Sequence, residues 1–204
     1  MYSSSPKVAA NNKDVYVVWD VTRNGDSKNA NDEGIFLGKS SDGGRTFENA
    51  TKLNNNYEFG EAEVVTNSDA VYIAWTGSVY NPQKKIGDVF LTMSFDDGDT
   101  FKGTTLINEG FVGSENIELA VTNERIDAVW RDKVTGNGEI YYKTSLNNTT
   151  QPSFPEKPVN LSGTEDLSEC PSVAISGNTT YVAWEDNTYG NHEIFLKKVI
   201  TLST

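Results

Sequence analysis

The sequence is poor in the residues that most often build disulfides, metal sites and catalytic triads. It contains one cysteine, Cys170, and one histidine, His192. A single cysteine cannot form an internal disulfide, and we expect Cys170 to be a small buried hydrophobic residue rather than a nucleophile. A metal site or a Ser-His-Asp triad would depend on His192 alone. We therefore predict neither a catalytic residue nor a metal centre.

Positive charge and long apolar segments are also scarce. The formal net charge is -12, from 29 acidic and 17 basic residues. Phosphate backbones and anionic lipids repel such a chain, so we expect no nucleic-acid partner. No apolar run approaches the roughly 18 residues of a membrane span, so we expect no membrane insertion. The first residues do not resemble a signal peptide, and we expect that the signal of a secreted protein would have been cut away.

Tryptophan recurs about every 55 residues, at Trp19, Trp75, Trp130 and Trp184. Each ends a run rich in β-branched or aromatic residues and is followed by a polar loop and a second apolar run, which is typical of short antiparallel strands. Four strands in every ~50 residues indicate propeller blades. We predict one all-β domain, a β-propeller of four four-stranded antiparallel blades. Their approximate bounds are 1–56, 57–109, 110–164 and 165–204, and the last blade is incomplete.

Two Ser-x-Asp-x-Gly-x-Thr-Phe motifs follow the predicted third strand of the first two repeats. The motif residues are Ser40, Asp42, Gly44, Thr46 and Phe47, and then Ser94, Asp96, Gly98, Thr100 and Phe101. An aspartate can accept hydrogen bonds from the backbone of its own tight turn, and glycine allows a positive φ. We interpret both motifs as structural turns in which the threonine closes the loop and the phenylalanine packs under the blade.

These motifs resemble the Asp-box (BNR) repeat of sialidase-like β-propellers. The resemblance implies that the boxes lie on the face opposite the ligand site. It also implies that a sialidase would need three arginines to clamp the substrate carboxylate. This chain has Arg23, Arg45, Arg125 and Arg131, and only Arg23 and Arg131 fall on predicted ligand-face loops. We therefore expect a non-catalytic propeller that acts as a binding or scaffolding module.

The predicted ligand face is strongly acidic. It is formed by the loops between second and third strands and by those that lead into each first strand. Its candidate ligand-binding residues are Asp20, Glu61, Glu115, Arg131, Glu169, Glu185 and Asp186. Such a surface suits a protein, a glycan or a cation, with Ca²⁺ as a weaker expectation because the spacing does not match an EF-hand. We also predict that Glu61, Glu115 and Glu169, which precede successive first strands, ring the central axis.

Five Asn-x-Ser/Thr sequons fit an extracellular or cell-surface glycoprotein. The candidate asparagines are Asn49, Asn147, Asn148, Asn160 and Asn178.

Two other functions remain open, and so does the size of the ring. The chain is alternatively a sialidase-type glycoside hydrolase or a fragment of one, or a structural subunit that assembles through open blade edges. The four blades form a closed ring, half of an eight-blade ring made by two copies, or part of a larger ring. A homo-oligomer is therefore one of the expected partners.

Overall fold

The computed structural model describes residues 2–22, 33–54, 57–79, 87–108, 113–146 and 152–200. Within these ranges the chain is all β, with fifteen strands and no helix. Accordingly, no helix in the described ranges could cross a membrane. The strands form four antiparallel sheets, three of four strands and one of three, in which neighbours along the chain are neighbours in the sheet. The predicted all-β, repeated architecture is confirmed.

The strands of the first sheet are β1 (Tyr2–Asn11), β2 (Asp14–Thr22), β3 (Gly34–Ser40) and β4 (Thr51–Lys52). The second sheet contains β5 (Tyr57–Thr66), β6 (Val71–Val79), β7 (Asp88–Ser94) and β8 (Thr105–Leu106). The third contains β9 (Glu115–Val121), β10 (Arg125–Asp132), β11 (Glu139–Leu146) and β12 (Val159–Asn160). The fourth contains β13 (Ser168–Ser176), β14 (Thr179–Asp186) and β15 (Glu193–Ile200).

The four sheets pack face to face in chain order, and their innermost strands β1, β5, β9 and β13 contact one another in succession. We call the face of a sheet that is turned towards the following sheet its front, and the opposite face its back. Ile35 and Leu37 on the front of the first sheet join Ile73 and Trp75 on the back of the second in one buried cluster. Two further clusters repeat this packing between the second and third sheets and between the third and fourth.

The recurring tryptophan anchors the back of each sheet. It pairs across the second and third strands with an aromatic residue, and the two rings stack in every sheet. The pairs are Trp19–Phe36, Trp75–Phe90, Trp130–Tyr141 and Trp184–Phe195, with ring centroids 5.7 to 6.2 Å apart. Stacked aromatic pairs stabilise by about 0.5–1.5 kcal/mol beyond the area they bury. In the second, third and fourth sheets the repeated tryptophan therefore lies in the inter-sheet core.

The two Ser-x-Asp motifs form near-identical turns after β3 and β7, which we call the Ser-Asp turns (residues 40–47 and 94–101). The Asp42 carboxylate accepts hydrogen bonds from the Thr46 amide at 2.9 Å, the Thr46 hydroxyl at 2.7 Å and the Ser40 hydroxyl at 2.9 Å. These donors lower its pKa to about 2. Asp96 has the same arrangement with Thr100 and Ser94, and the same low pKa of about 2. Gly44 and Gly98 adopt positive φ angles of 80° and 83°.

The phenylalanines of the two turns differ in burial. Phe101 packs against the core between the first and second sheets. The prediction that Phe47 packs under its blade is wrong, because 48% of its surface is exposed. Phe47 lies on the back of the first sheet, close to Gly38 and to Trp19, where the described chain provides no preceding sheet to cover it.

Candidate functional site

The end of the sheets opposite the Ser-Asp turns is shaped by bulges in the innermost strands. The pairing register shifts between Ser4 and Lys7, between Phe59 and Ala62, and between Glu169 and Ser172. Asn116 and Cys170 have positive φ angles of 51° and 49° at equivalent places. Bulges of this kind re-aim side chains and are common beside functional sites. Here they bring polar residues of different sheets together.

One polar cluster at this end surrounds Arg131, the last residue but one of β10. Its guanidinium pairs with Glu115 at 2.6 Å and with Glu169 at 3.3 Å, and so joins the third sheet to the fourth. Lys133 pairs with the other oxygen of Glu115 at 2.7 Å. The Arg131 side chain is only 12% exposed, and its Nε has no hydrogen-bond partner among the described residues. The structure thus brings together three residues selected from the sequence, Arg131, Glu115 and Glu169, and their role in ligand binding stays a prediction.

The three glutamates predicted to ring the central axis do not all occupy equivalent positions, and the ring itself stays a prediction. Glu115 and Glu169 occupy equivalent positions, but Glu61 aligns with the bulge residues Asn116 and Cys170. Glu61 accepts a hydrogen bond from the Asn116 side chain at 2.7 Å instead of joining the Arg131 cluster.

The Cys170 thiol lies near these groups. Partial desolvation of the thiol and then the carboxylates of Glu185, Glu169 and Glu61 raise its pKa. Cys170 is exposed, so the expectation of a buried residue is wrong.

A cleft of about 350 Å³ lies beside Arg131, between loops of the third and fourth sheets. It is lined by Arg131, Lys133, Gly136, Asn137, Gly138, Glu165, Asp166, Leu167 and Asn187. Gly138 is required at its base, because a Cβ there would lie 2.3 Å from the Arg131 Nε. Backbone amides and carbonyls fix the walls, with Ser168 donating to Gly138 at 2.8 Å and Asn187 donating to Leu167 at 3.2 Å. The cleft is therefore built by inter-sheet contacts.

The carboxylates of two predicted ligand residues already accept hydrogen bonds from other groups of the protein. Asp186 is buried, and its carboxylate accepts from Ser168 at 2.8 Å, from the Trp184 indole at 3.0 Å and from the Thr188 amide at 2.9 Å. Burial of the Asp186 carboxyl acts to raise its pKa, but the hydrogen bonds from these donors outweigh it and lower the pKa below its ordinary value. Asp20 is buried too and accepts from the Ser4 hydroxyl at 2.7 Å. Asp186 thus braces the loop that carries Asn187, and a direct ligand contact remains only a prediction for both residues.

The remaining predicted residues lie in different surroundings. Glu185 is about half exposed and faces His192, with the carboxylate 3.8 Å from Nδ1. In the described part of the chain, no group of three or more His, Cys, Asp or Glu side chains is placed to hold a metal ion. No Ca²⁺ site can therefore be assigned among these residues. Arg23 lies outside the described residues.

The predicted glycosylation sites are only partly described. Asn49 and Asn178 are exposed, whereas Asn147 and Asn148 lie outside the described residues. The Asn160 side-chain oxygen accepts from the Gly163 amide at 2.9 Å. Glycosylation stays a prediction at all of these positions.

Several residues of the site were missed from the sequence. Asn137, Gly138 and Asn187 line the cleft, and Asn116 binds Glu61. The Asn-Gly pair at 137–138 and the Asn after Asp186 are ordinary loop residues. Their sequence neighbourhood alone does not distinguish a cleft from a solvated turn.

Comparison with known proteins finds no matching family model and no matching curated protein. Solved structures do match. A Hadza microbial sialidase aligns with a TM-score of 0.66 and 11% identity over 96% of this chain and 44% of its own. A Fusarium graminearum GH93 α-L-arabinofuranosidase solved with arabinobiose aligns with a TM-score of 0.65 and 14% identity, over 96% of this chain and 62% of its own. A Penicillium chrysogenum α-L-arabinanase, also with arabinobiose, aligns with a TM-score of 0.64 and 13% identity, over 98% of this chain and 62% of its own.

This chain thus spans between about four tenths and two thirds of the length of the structures it matches. Identities of 11–14% carry information on fold and not on activity. The four sheets, packed in chain order around their innermost strands, are similar in fold to part of these sialidase-like propeller structures.

Proposed function

We propose that this chain is a non-catalytic, extracellular glycan-binding module whose ligand site is the cleft beside Arg131. One observation carries the proposal: the cleft combines donors and acceptors on a rigid inter-sheet frame. Lys133 and Asn137 keep protons beyond those donated to Glu115 and to the Glu165 carbonyl, and the side chains of Glu165 and Asp166 offer acceptors. Sugar hydroxyls both donate and accept hydrogen bonds. A lining that contains both donors and acceptors therefore suits a neutral saccharide better than it suits a ligand with charge of one sign.

The comparisons support a saccharide over a protein or a cation as ligand. The matched structures include a sialidase, an arabinofuranosidase and an arabinanase, the last two with arabinobiose. Tyr189 adds an apolar surface near the cleft, since it is 71% exposed on the loop that carries Asn187 and stacks on Phe195 with centroids 5.9 Å apart. The Ser-Asp turns are, in this proposal, sialidase-type Asp boxes on the opposite end of the sheets, with a structural role.

A catalytic role is less well supported. A sialidase-type site would use arginines for a substrate carboxylate, but the described Arg131 is already neutralised by Glu115 and Glu169. A free substrate carboxylate would have to displace one of these acids. The guanidinium therefore acts as a clamp between sheets, and its structural task explains its burial.

One geometric feature favours a second candidate, a portion of a glycosidase. Glu115 and Glu169 approach the same guanidinium from different sheets, which places two carboxylates on Arg131, a residue that lines the cleft. Paired carboxylates at short separation are the catalytic unit of most glycosidases. Under this alternative the pair would cleave the bound glycan.

The test is a binding titration of the chain with arabinotriose, xylotriose and sialyllactose, run beside hydrolysis assays with the corresponding fluorogenic glycosides. We expect saturable binding of at least one oligosaccharide and no hydrolysis. The double variant Lys133→Ala/Asp166→Ala should weaken binding at least about tenfold, because two hydrogen-bonding groups are removed.

The matched control is Lys13→Ala/Asp69→Ala. It makes the same charge change on exposed turns at the other end of the sheets, and it should bind like the unmodified chain. Binding of no oligosaccharide refutes the proposal. Turnover that disappears in Arg131→Ala and Glu169→Gln supports the glycosidase instead.

A further inference from the structure

The front of the fourth sheet is an apolar surface that nothing in the described chain covers. Ile194 is 74% exposed and Leu196 is 69% exposed. The strand register shows which residues occupy the same places in the other sheets. Ile194 corresponds to Ile35, Val89 and Ile140, each 0% exposed, and Leu196 corresponds to Leu37, Leu91 and Tyr142, all buried.

The back of the first sheet is the matching uncovered surface. Val8 is 67% exposed, whereas its equivalents Val64 and Leu119 are buried against the preceding sheet. Val17, Trp19 and Phe36 on the same face are only partly buried. The exposed Phe47 extends this face, and its equivalent Phe101 is packed between two sheets. The chain therefore presents both halves of an interface that it forms three times internally.

From this pairing we infer that the front of the fourth sheet binds the back of the first sheet of a second copy, head to tail. Three internal interfaces show that these two kinds of face fit each other. Apolar faces of this kind, left in water, are characteristic of association sites. One such contact joins two copies head to tail, and a head-to-tail contact closes into a ring only if its rotation allows.

The polar part of the internal interface gives this proposal a specific signature. Between the first two sheets, the Tyr16 hydroxyl donates to the Asp97 carbonyl at 3.1 Å, and Lys39 pairs with Asp99. The fourth sheet repeats the first half of this arrangement. Tyr181 lies opposite Lys198 on the neighbouring strand, as Tyr16 lies opposite Lys39 in the first sheet.

The first Ser-Asp turn supplies the other half, with one difference. Gly43 stands where Asp97 stands, and its carbonyl can accept from Tyr181. Arg45 stands where Asp99 stands, so Lys198 would face a like charge. The apolar faces drive the contact between copies, and this one pair of like charges makes it weaker than the contacts within the chain.

Sedimentation velocity of the 204-residue chain over a concentration series tests the inference. We expect a reversible dimer. Leu196→Asp on the front of the fourth sheet should abolish it, and Val8→Asp on the back of the first sheet should do the same. The matched control, Val159→Asp, changes another exposed valine outside both faces and should dimerise normally. Circular dichroism confirms that each variant remains folded.

Mixing the two defective variants tests the head-to-tail geometry. Val8→Asp retains an intact front and Leu196→Asp an intact back, so an equimolar mixture should recover association that neither variant shows alone. If Val8→Asp still dimerises by itself, the contact is front to front and the inference fails.

Substitution at the mismatched pair tests the register. Arg45→Asp should tighten the dimer at least about threefold, because a repulsive pair becomes an exposed ion pair. The gain should vanish when Lys198→Ala is added. A chain that is monomeric at all concentrations, or an Arg45→Asp variant with unchanged affinity, overturns the inference.

Discussion

Replacing Asp127 by asparagine should destabilise the protein severely, because it leaves a buried arginine without its counter-charge. Asp127 is 0% exposed and lies on the front of the third sheet. Its carboxylate accepts from the Arg125 Nε at 3.2 Å, from the Tyr142 hydroxyl at 3.2 Å and from Thr180 of the fourth sheet. Arg125 is itself buried and also donates to Thr180 at 3.2 Å. The network therefore bonds the third sheet to the fourth.

The magnitude follows from the cost of an unpaired buried charge. Removing one partner of a buried ion pair typically costs about 3–5 kcal/mol, more than the pair contributes relative to an apolar replacement. For a chain of this length, such a loss lowers the melting temperature by about 10 °C. The double variant Arg125→Met/Asp127→Asn should recover part of the stability, because it no longer leaves a charge without a partner.

Urea unfolding followed by tryptophan fluorescence measures these differences directly. Asp69→Asn is the control, since Asp69 lies exposed in the turn between β5 and β6 and should change the free energy of unfolding by less than about 0.5 kcal/mol. A loss below about 1 kcal/mol for Asp127→Asn would refute the reasoning. So would a double variant that is less stable than Asp127→Asn alone.

Two further predictions concern the loops. Gly87→Ala should cost about 1–3 kcal/mol, because its Cβ would lie 2.5 Å from the Ser114 amide nitrogen, whereas Gly103→Ala meets nothing within 4 Å and should be near neutral in the same unfolding assay. The low pKa of about 2 for Asp42 and Asp96 means that the Ser-Asp turns contribute stability fully above the ordinary value of 3.8 and lose it as pH falls through about 2. Carboxyl NMR titration checks this, and midpoints near 3.8 would contradict it.

The sheets were predictable because the sequence repeats its core. Trp75 and Trp130 end equivalent strands, and the alternation around them fixes which residues face the neighbouring sheet. The Ser-Asp turns were predictable for a local reason: Asp42 and Thr46 are within one tight turn, so their contact needs no tertiary information.

The site was less predictable because it depends on bulges and on contacts between sheets. Glu61 lies three residues before Val64 and Glu115 lies four before Leu119, so the two were grouped although Glu61 is equivalent to the bulge residue Asn116. The same bulge geometry exposes Cys170, which the strand pattern assigned to the interior.

Residues distant in sequence explain the other differences. Asp186 looks like a free surface acid until Ser168 and Trp184 are found on its carboxylate. Phe47 is exposed whereas Phe101, in the same motif, is partly buried against the core, because burial there depends on the preceding sheet and not on the turn.

The measurement that tests the proposed function most directly is an amide NMR titration of the labelled chain with the tightest-binding oligosaccharide. The account predicts saturable shifts at Gly138, Asp166 and Asn187, around the cleft beside Arg131, and none at the Ser-Asp turns. Shifts confined to the Ser-Asp turns, or no shift anywhere at saturating ligand, would contradict it.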